Sequence, residues 1–297
     1  MSVRYKATDK LLFQYYPLDE SSYGNKPSGT YTLKNFGFVQ EVVPTYDPEL
    51  QPVWVFRSGS EAGLPLMLRS KKKNIRLRVS WLQPTMTDYV QKELFTDGDN
   101  LYAALKVEHD VSHFFYVELT GLKCDVLTIR GSIGEVVTWI MEMIGKSMNT
   151  STSLPGTPTH EAEPSNMPWE WNDVYLQYDI GSGYGVFPDL TDFEIRIEFG
   201  LKPIYVFNAS GLKDMEALEQ TVVTPSARLT ANMRDKEFID YLIGLNDVDL
   251  KLTLPDSKYI ELKDGKFRVV DPGFRAGDEL ISQRLEFVAK SWAHNFT

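Results

Sequence analysis

The 297-residue sequence holds a single cysteine, Cys124, and only four histidines. One thiol cannot close an intramolecular disulfide, so a disulfide-stapled scaffold is excluded, and thiol chemistry would need a lone nucleophile with a partner histidine. No run approaches the ~18 apolar residues of a spanning helix. The start, MSVRYKATDK, has no apolar segment behind its positive charges, so the expectation is a soluble chain made without a signal peptide and not inserted in a membrane. Positive charge is also scarce. A formal net charge of -10 argues against a protein that holds duplex DNA by neutralising phosphates.

What is present is apolar and aromatic: 42% hydrophobic residues, including 15 Tyr and 16 Phe, enough for real cores and in favour of strands. The acidity is uneven. Residues 1–150 carry 17 basic and 17 acidic side chains, whereas residues 151–297 carry 14 and 24, so the excess belongs to the second half.

The two halves repeat each other. Pro52-Val53-Trp54-Val55-Phe56 matches Pro203-Ile204-Tyr205-Val206-Phe207, and Tyr116-Val117-Glu118-Leu119 matches Tyr259-Ile260-Glu261-Leu262. The block Glu142 to Met148 matches Glu286 to Trp292, with Asp88-Tyr89-Val90 against Asp240-Tyr241-Leu242 and Leu105-Lys106-Val107 against Leu250-Lys251-Leu252 between them. Shorter matches pair Phe13-Gln14-Tyr15 with Leu176-Gln177-Tyr178, and Tyr23-Gly24 with Tyr184-Gly185. Residues 149–168 are rich in Pro, Ser and Thr and read as an exposed linker that would let the halves stand apart. The expected organisation is one domain at 1–148 with an N-terminal arm, a linker at 149–168, and a second copy at 169–297.

Within each half, alternation of period two dominates, as in Ile75, Leu77, Val79 and Trp81 or Phe193, Ile195, Ile197 and Phe199. Lys263-Asp264-Gly265-Lys266 reads as a tight hairpin. Helical spacing is expected once per half, over Thr85–Leu94 and Asp235–Ile243. The fold expected is mainly β: two tandem β-sandwich or barrel domains, each with one flanking helix. The connections Ser58–Asn74 and Ala209–Ser226 are long for a compact domain and read as functional.

Residues that could carry chemistry each have a plainer reading. Glu108, His109, Asp110 and His113 lack the helix that would aim two imidazoles at one metal, and read as a turn. Gly181-Ser182-Gly183-Tyr184-Gly185 opens no helix and reads as a turn rather than a phosphate loop. Lys71-Lys72-Lys73 reads as a solvated face, with an acidic partner or nucleic acid as the alternative. Cys124 reads as a small buried hydrophobe. Trp54, Trp169 and Trp171 could stack on sugars in a carbohydrate-binding module, although Trp54 aligns with Tyr205 inside an alternating strand. No histidine is shared between the halves, which argues against a duplicated active site. No catalytic, cofactor or metal residues are assigned and no cofactor is expected.

The segments Asp192–Phe199, Lys202–Phe207, Arg228–Met233, Asp235–Tyr241 and Gly277–Ser291 resemble the tail tube proteins of long-tailed bacterial and archaeal viruses. The resemblance covers residues 185–292 and, through the repeat, residues 30–148 more weakly. It implies β-sandwiches whose sheets join into rings, commonly of six domains, stacked into a hollow tube. With two domains per chain, three chains would fill a ring. It further implies a virion-tail location after synthesis in the host cytoplasm. The implied partners are further copies of the chain, tape measure, terminator and distal tail proteins, and double-stranded DNA that passes without tight binding. A distal tail, connector or baseplate protein of the same fold is the nearest alternative. By the same resemblance, Ser58–Asn74, Ala209–Ser226, the arm Met1–Tyr31 and the linker with Trp169–Phe187 would touch neighbouring rings. Acidic side chains facing such a channel would repel phosphates, and their excess in one half predicts charge alternating around the ring.

Overall fold

The computed structural model describes residues 10–47, 50–53, 67–70, 74–83, 100–110, 112–162, 164, 167–207, 213–232, 247–271 and 282–296. The fold is mostly β. Its strands in the first half are β1 (Lys10–Leu18), β2 (Thr30–Asn35), β3 (Phe38–Asp47), β4 (Leu50–Val53), β5 (Met67–Ser70), β6 (Asn74–Leu82), β7 (Asn100–Asp110), β8 (His113–Ser132) and β9 (Thr138–Gly145). Then come β10 (Ser147–Ser151), β11 (Thr157–His160), β12 (Tyr175–Asp179), β13 (Gly185–Val186), β14 (Leu190–Glu198), β15 (Leu201–Phe207) and β16 (Lys213–Gln220). The last are β17 (Thr224–Asn232), β18 (Val248–Thr253), β19 (Tyr259–Asp271), β20 (Ser282–Val288) and β21 (Ser291–His294). Both segments with helical spacing lie outside the described residues.

One long antiparallel sheet runs through the molecule in the order β3-β6-β9-β8-β14-β17-β20-β19. A second sheet backs the first half, in the order β2-β1-β7-β8-β10, and a third backs the second half, in the order β13-β12-β18-β19-β21. The long strands β8 and β19 each take part in two sheets. Period-two alternation sends one face of each strand inward, as in the strict alternation of β18. Ile75, Leu77, Val79 and Trp81 from β6 and Leu285 and Phe287 from β20 are all buried on that face.

The core is continuous across the halves. Tyr15, Phe36, Trp81 and Trp139 follow one another at ring separations of 4.5, 5.4 and 5.9 Å, and Trp139 also meets Trp169 and Phe296 from the second half. Burying such rings contributes about 1.5–3 kcal/mol each, so the halves are not independent beads.

Several expectations are corrected here. Lys263–Lys266 is no hairpin, because β19 runs straight through it as it leaves one sheet for another. Asp264 takes a left-handed φ of +52°, and a Cβ on Gly265 would meet the Phe287 ring at 2.1 Å. The turn chemistry was real, but it serves a bulge. The closing segment also changes sheets, from β20 to β21, at Ala289 and Lys290. The long connections are not structureless: β16 pairs with β15 and β5 with β4, in two-stranded hairpins. The linker is not a free spacer either. Its β10 pairs with β8, and its β11 lies parallel to β2. Pro158 is tolerated because an edge strand need not donate on both sides.

The linker is held by polar side chains as well as by the ladder. Gln14 and Asn35, both buried, share a 2.9 Å hydrogen bond. Asn35 Nδ2 donates to the carbonyls of Glu161 and Ala162, its backbone N–H donates to Glu161 Oε2, and His160 Nδ1 lies 2.6 Å from Gln14 Oε1.

Candidate assembly interface

The strand order β3-β6-β9-β8 of the first half recurs as β14-β17-β20-β19 in the second. Met141 lies between Val79 and Leu127, and Leu285 between Leu229 and Val269. Matching Met141 with Leu285, as the Glu142–Met148 and Glu286–Trp292 blocks require, makes β6 the counterpart of β17 and β8 of β19. Since Val79 faces Val42 and Leu229 faces Phe193, β3 is the counterpart of β14.

The halves therefore join through unlike edges. Strand β8 pairs with β14 from Val126↔Glu198 to Ser132↔Asp192. The joint is tight: Phe193 lies against Gly131, where a Cβ would approach the ring at 2.9 Å. Asp125, the extra residue of a bulge in β8, closes one end. Its carbonyl accepts from Phe199 N–H at 2.7 Å and its carboxylate from Leu201 N–H at 3.0 Å. Burial raises the Asp125 carboxyl above its ordinary range, against the lowering effect of the Leu201 bond and Arg76. At the two ends of the long sheet, β3 beyond β6 and the Lys266–Asp271 part of β19 beyond β20 pair with no further strand among the described residues. These open edges are the counterparts of the two that are joined.

The solvent face of the long sheet carries interleaved charge. Arg130, Glu194, Arg228, Glu286 and Arg268 stand directly opposite one another across five strands. Three of the contacts are ion pairs of 3.6 to 3.8 Å. Opposite charges facing each other across strands contribute roughly 0.2–1 kcal/mol per pair. Across β14, β17, β20 and β19 the charges of this row alternate in sign, so the second half's acidic excess does not gather in it.

The ladder also moves two of the sequence matches. It pairs Val117 with Leu105 and Ile260 with Leu252, so Leu105 corresponds to Leu252 rather than Leu250. Lys34 faces Tyr15 and Gly185 faces Tyr178, so Tyr184-Gly185 corresponds to Leu33-Lys34, and Phe36 to Phe187. Tyr23-Gly24 belongs to an excursion of the first half. The match of Phe13-Gln14-Tyr15 with Leu176-Gln177-Tyr178 agrees with the ladder.

The other singled-out residues are placed as follows. Asp110 caps the β7–β8 turn, accepting from Ser112 and His113, which holds its carboxyl below the usual range. Among the described residues no acidic, histidine and cysteine group could hold a metal, and no helix is long and apolar enough to cross a membrane. The Gly181–Gly185 segment is a turn in which Asp179 Oδ1 accepts from the N–H groups of Gly181, Ser182 and Gly183. Cys124 is half-buried against the core, and burial raises its thiol well above the ordinary value. Trp169 is buried and forms no open platform for a sugar ring, while Trp171 is half-buried against Phe193 at 5.7 Å. Trp54 and Lys71–Lys73 lie outside the described residues. Of the segments expected to touch neighbouring rings, Lys10–Leu18 is an interior strand rather than an arm. Tyr23 and the Ala209–Ser226 segment meet each other: Tyr23 Oη donates to Met215 Sδ at 3.3 Å.

Both halves bury a glutamate at the matched positions Glu118 and Glu261. Glu118 accepts from Tyr102 Oη at 2.8 Å and pairs with Lys26 at 2.9 Å. Glu261 accepts from Tyr184 Oη and pairs with Lys263 at 3.0 Å. The repeated position was visible in the sequence, but its partners come from different places in each half.

No protein-family model and no curated protein matches the sequence. Among solved structures, the tail of an empty gene transfer agent particle with C6 symmetry aligns at a TM-score of 0.32 and 16% identity, over 43% of this chain and 98% of that one. The virion of a native gene transfer agent particle aligns at 0.32 and 14% identity over the same shares. Both are distant likenesses.

Proposed function

We propose that the chain is a structural subunit of a phage-like virion tail, built from one domain present twice, and that three chains close into a ring of six domains. The ring stacks on others into a hollow tube that passes double-stranded DNA without holding it. The partners would be further copies of the chain and other tail proteins, and no catalysis is assigned. The observation that carries this is the β8–β14 junction: an interface between matched but unlike edges, already made once inside the chain. A head-to-tail contact of this kind leaves its two complementary edges, β3 and β19, at the ends of the sheet, and repetition closes a ring or continues a helix. Exposed edges are a liability unless paired, which favours their use. The interleaved charge also suits a wall that should not grip phosphates, since it presents no uniformly basic track.

The test is negative-stain electron microscopy of the purified chain at rising concentration. Stacked rings or tubes with a central hole and three- or pseudo-sixfold averages are expected. Single closed rings that never stack would favour a connector or distal tail role, and particles that stay monomeric at every concentration would remove the reading.

A further inference from the structure

We propose that the β4–β5 hairpin of one chain clasps the neighbouring chain over Val288 and Lys266, sideways within the ring; this rests on the ring reading. Inside the chain the matching clasp is present. The β15–β16 hairpin of the second half contributes Met215, Leu218, Leu201 and Tyr205 to an apolar cluster with Ile144 and Tyr23 of the first half. Beneath it Ile144 is 8% exposed, and Lys123, directly opposite Ile144 in the ladder, is also 8% exposed.

The counterparts in the second half are open. Val288 corresponds to Ile144 and lies opposite Lys266 as Ile144 lies opposite Lys123. Val288 is 58% exposed and the Lys266 side chain 52%. A groove of about 220 Å³ runs beside Val288, bordered by Ser226, Arg196 and Glu286. An apolar side chain left open where its counterpart is covered marks a place that a partner covers.

The occupant is the first-half hairpin of a second copy, because that hairpin follows β3, and the β3 edge complements the β19 edge beside Val288 as β14 complements β8 inside the chain. It is built like the second: Pro52 faces Leu68 as Pro203 faces Leu218. The sequence of its two strands is apolar as well, with Leu50, Val53, Met67 and Leu68. The cover given by Tyr23 belongs to the excursion before β2, whereas β12 and β13 are joined by a short turn. Among the described residues the second half has no counterpart of Tyr23 to cover Val288.

Full-length chains in a Cys124→Ser background, one carrying Leu68→Cys and the other Val288→Cys, would be mixed and oxidised. A disulfide-linked dimer at assembling concentrations, absent under dilution, is expected, and a chain carrying both cysteines should give species ending at three chains. Val288→Glu should raise the concentration needed for assembly at least tenfold while the monomer melts as wild type does. Rings without crosslinks, with Val288→Glu assembling normally, would overturn the clasp and leave the ring standing. A ladder that runs on without closing would place the hairpin between rings and also overturn it, whereas one that ends at another number would keep the clasp and change only the count of chains. If the wild-type chain forms no ring at all, the ring reading fails and the clasp with it.

Discussion

Gly131 of β8 lies directly opposite Phe193 of β14, and the phenyl ring occupies the space a side chain at 131 would need. This contact joins the two halves, so Gly131→Val should act as an overpacking substitution costing about 1–3 kcal/mol. Calorimetry should show a melting temperature lower by several degrees. With the core shared between halves, the transition should stay single; two separated transitions would show that the halves unfold independently.

The buried glutamate of the second half sets an acid limit on stability. Burial alone would raise the Glu261 carboxyl, but the hydrogen bond from Tyr184, the Lys263 ammonium and Lys251 together bring it below its ordinary value of 4.5. A carboxyl lowered in the folded state contributes stability that is present above pH 4.5 and is lost as pH falls through its folded value. Tyr184→Phe removes one lowering contact. The variant should therefore be less stable than wild type above pH 4.5 and lose less on acidification, so that the gap between the two shrinks as pH falls, as followed by denaturant midpoints between pH 3 and 6. Equal midpoint curves for both proteins would remove Glu261 as the cause.

Much of the strand pattern was legible because alternation is a local property: Phe193, Ile195 and Ile197 announce an inward face whatever lies beside them. Which strand lies beside which is not local. Nothing around Val126–Ser132 says that its partner is sixty residues further on rather than in another chain. One signal was available. Pro44 in β3 matches Ile195 in β14, and a proline offers no donor to either neighbouring strand, which marks β3 as the edge and β14 as the interior strand. Composition misled at the linker, where Ser, Thr and Pro suggested a solvated spacer while Gln14 and Asn35 hold its backbone. The Asp-Gly signal at 264–265 misled for a different reason, since a left-handed residue serves a bulge as well as a hairpin.

The linker clamp makes a separate prediction. Asn35 is buried and donates to Glu161 and Ala162, so Asn35→Ala leaves those carbonyls without that partner, at about 1–3 kcal/mol. A glutamate-specific protease should cut the wild-type chain slowly between residues 157 and 164 and the variant several-fold faster, with fragments read by mass spectrometry. Rapid cutting of the wild type there would restore the picture of a free linker.

At the open edges, the repeat sets the partner of each residue. Val126 lies opposite Glu198 inside the chain, and their counterparts are Arg268 and Asp47. The neighbour's Asp47 should thus stand across from Arg268, extending the charge row over the chain boundary. Arg268→Glu places like charges opposite each other at every chain junction, at roughly 1 kcal/mol each, and should raise the concentration needed for rings several-fold. Combining it with Asp47→Arg should restore assembly, whereas either change alone should not; failure of the double change to recover would break the assigned register.

The same register predicts the geometry of the ring. A row across the first half from Val43 through Arg78, Glu142 and Val126 arrives at Glu198, but the counterpart of Val43 is Glu194, a stagger from 194 to 198 for the four strands crossed. The stagger per strand is then about one residue, and with ~3.3 Å per residue against ~4.8 Å between strands the tilt is about 35° however many chains close the ring. The number of chains sets only the width: three give about 24 strands and a backbone diameter of about 45 Å, two about 30 Å and four about 60 Å. A cryo-EM reconstruction of assembled rings measures both quantities. A tilt far from 35° would mean that chains do not meet as the halves do, whereas the expected tilt at another width would keep the junction and change only the count of chains.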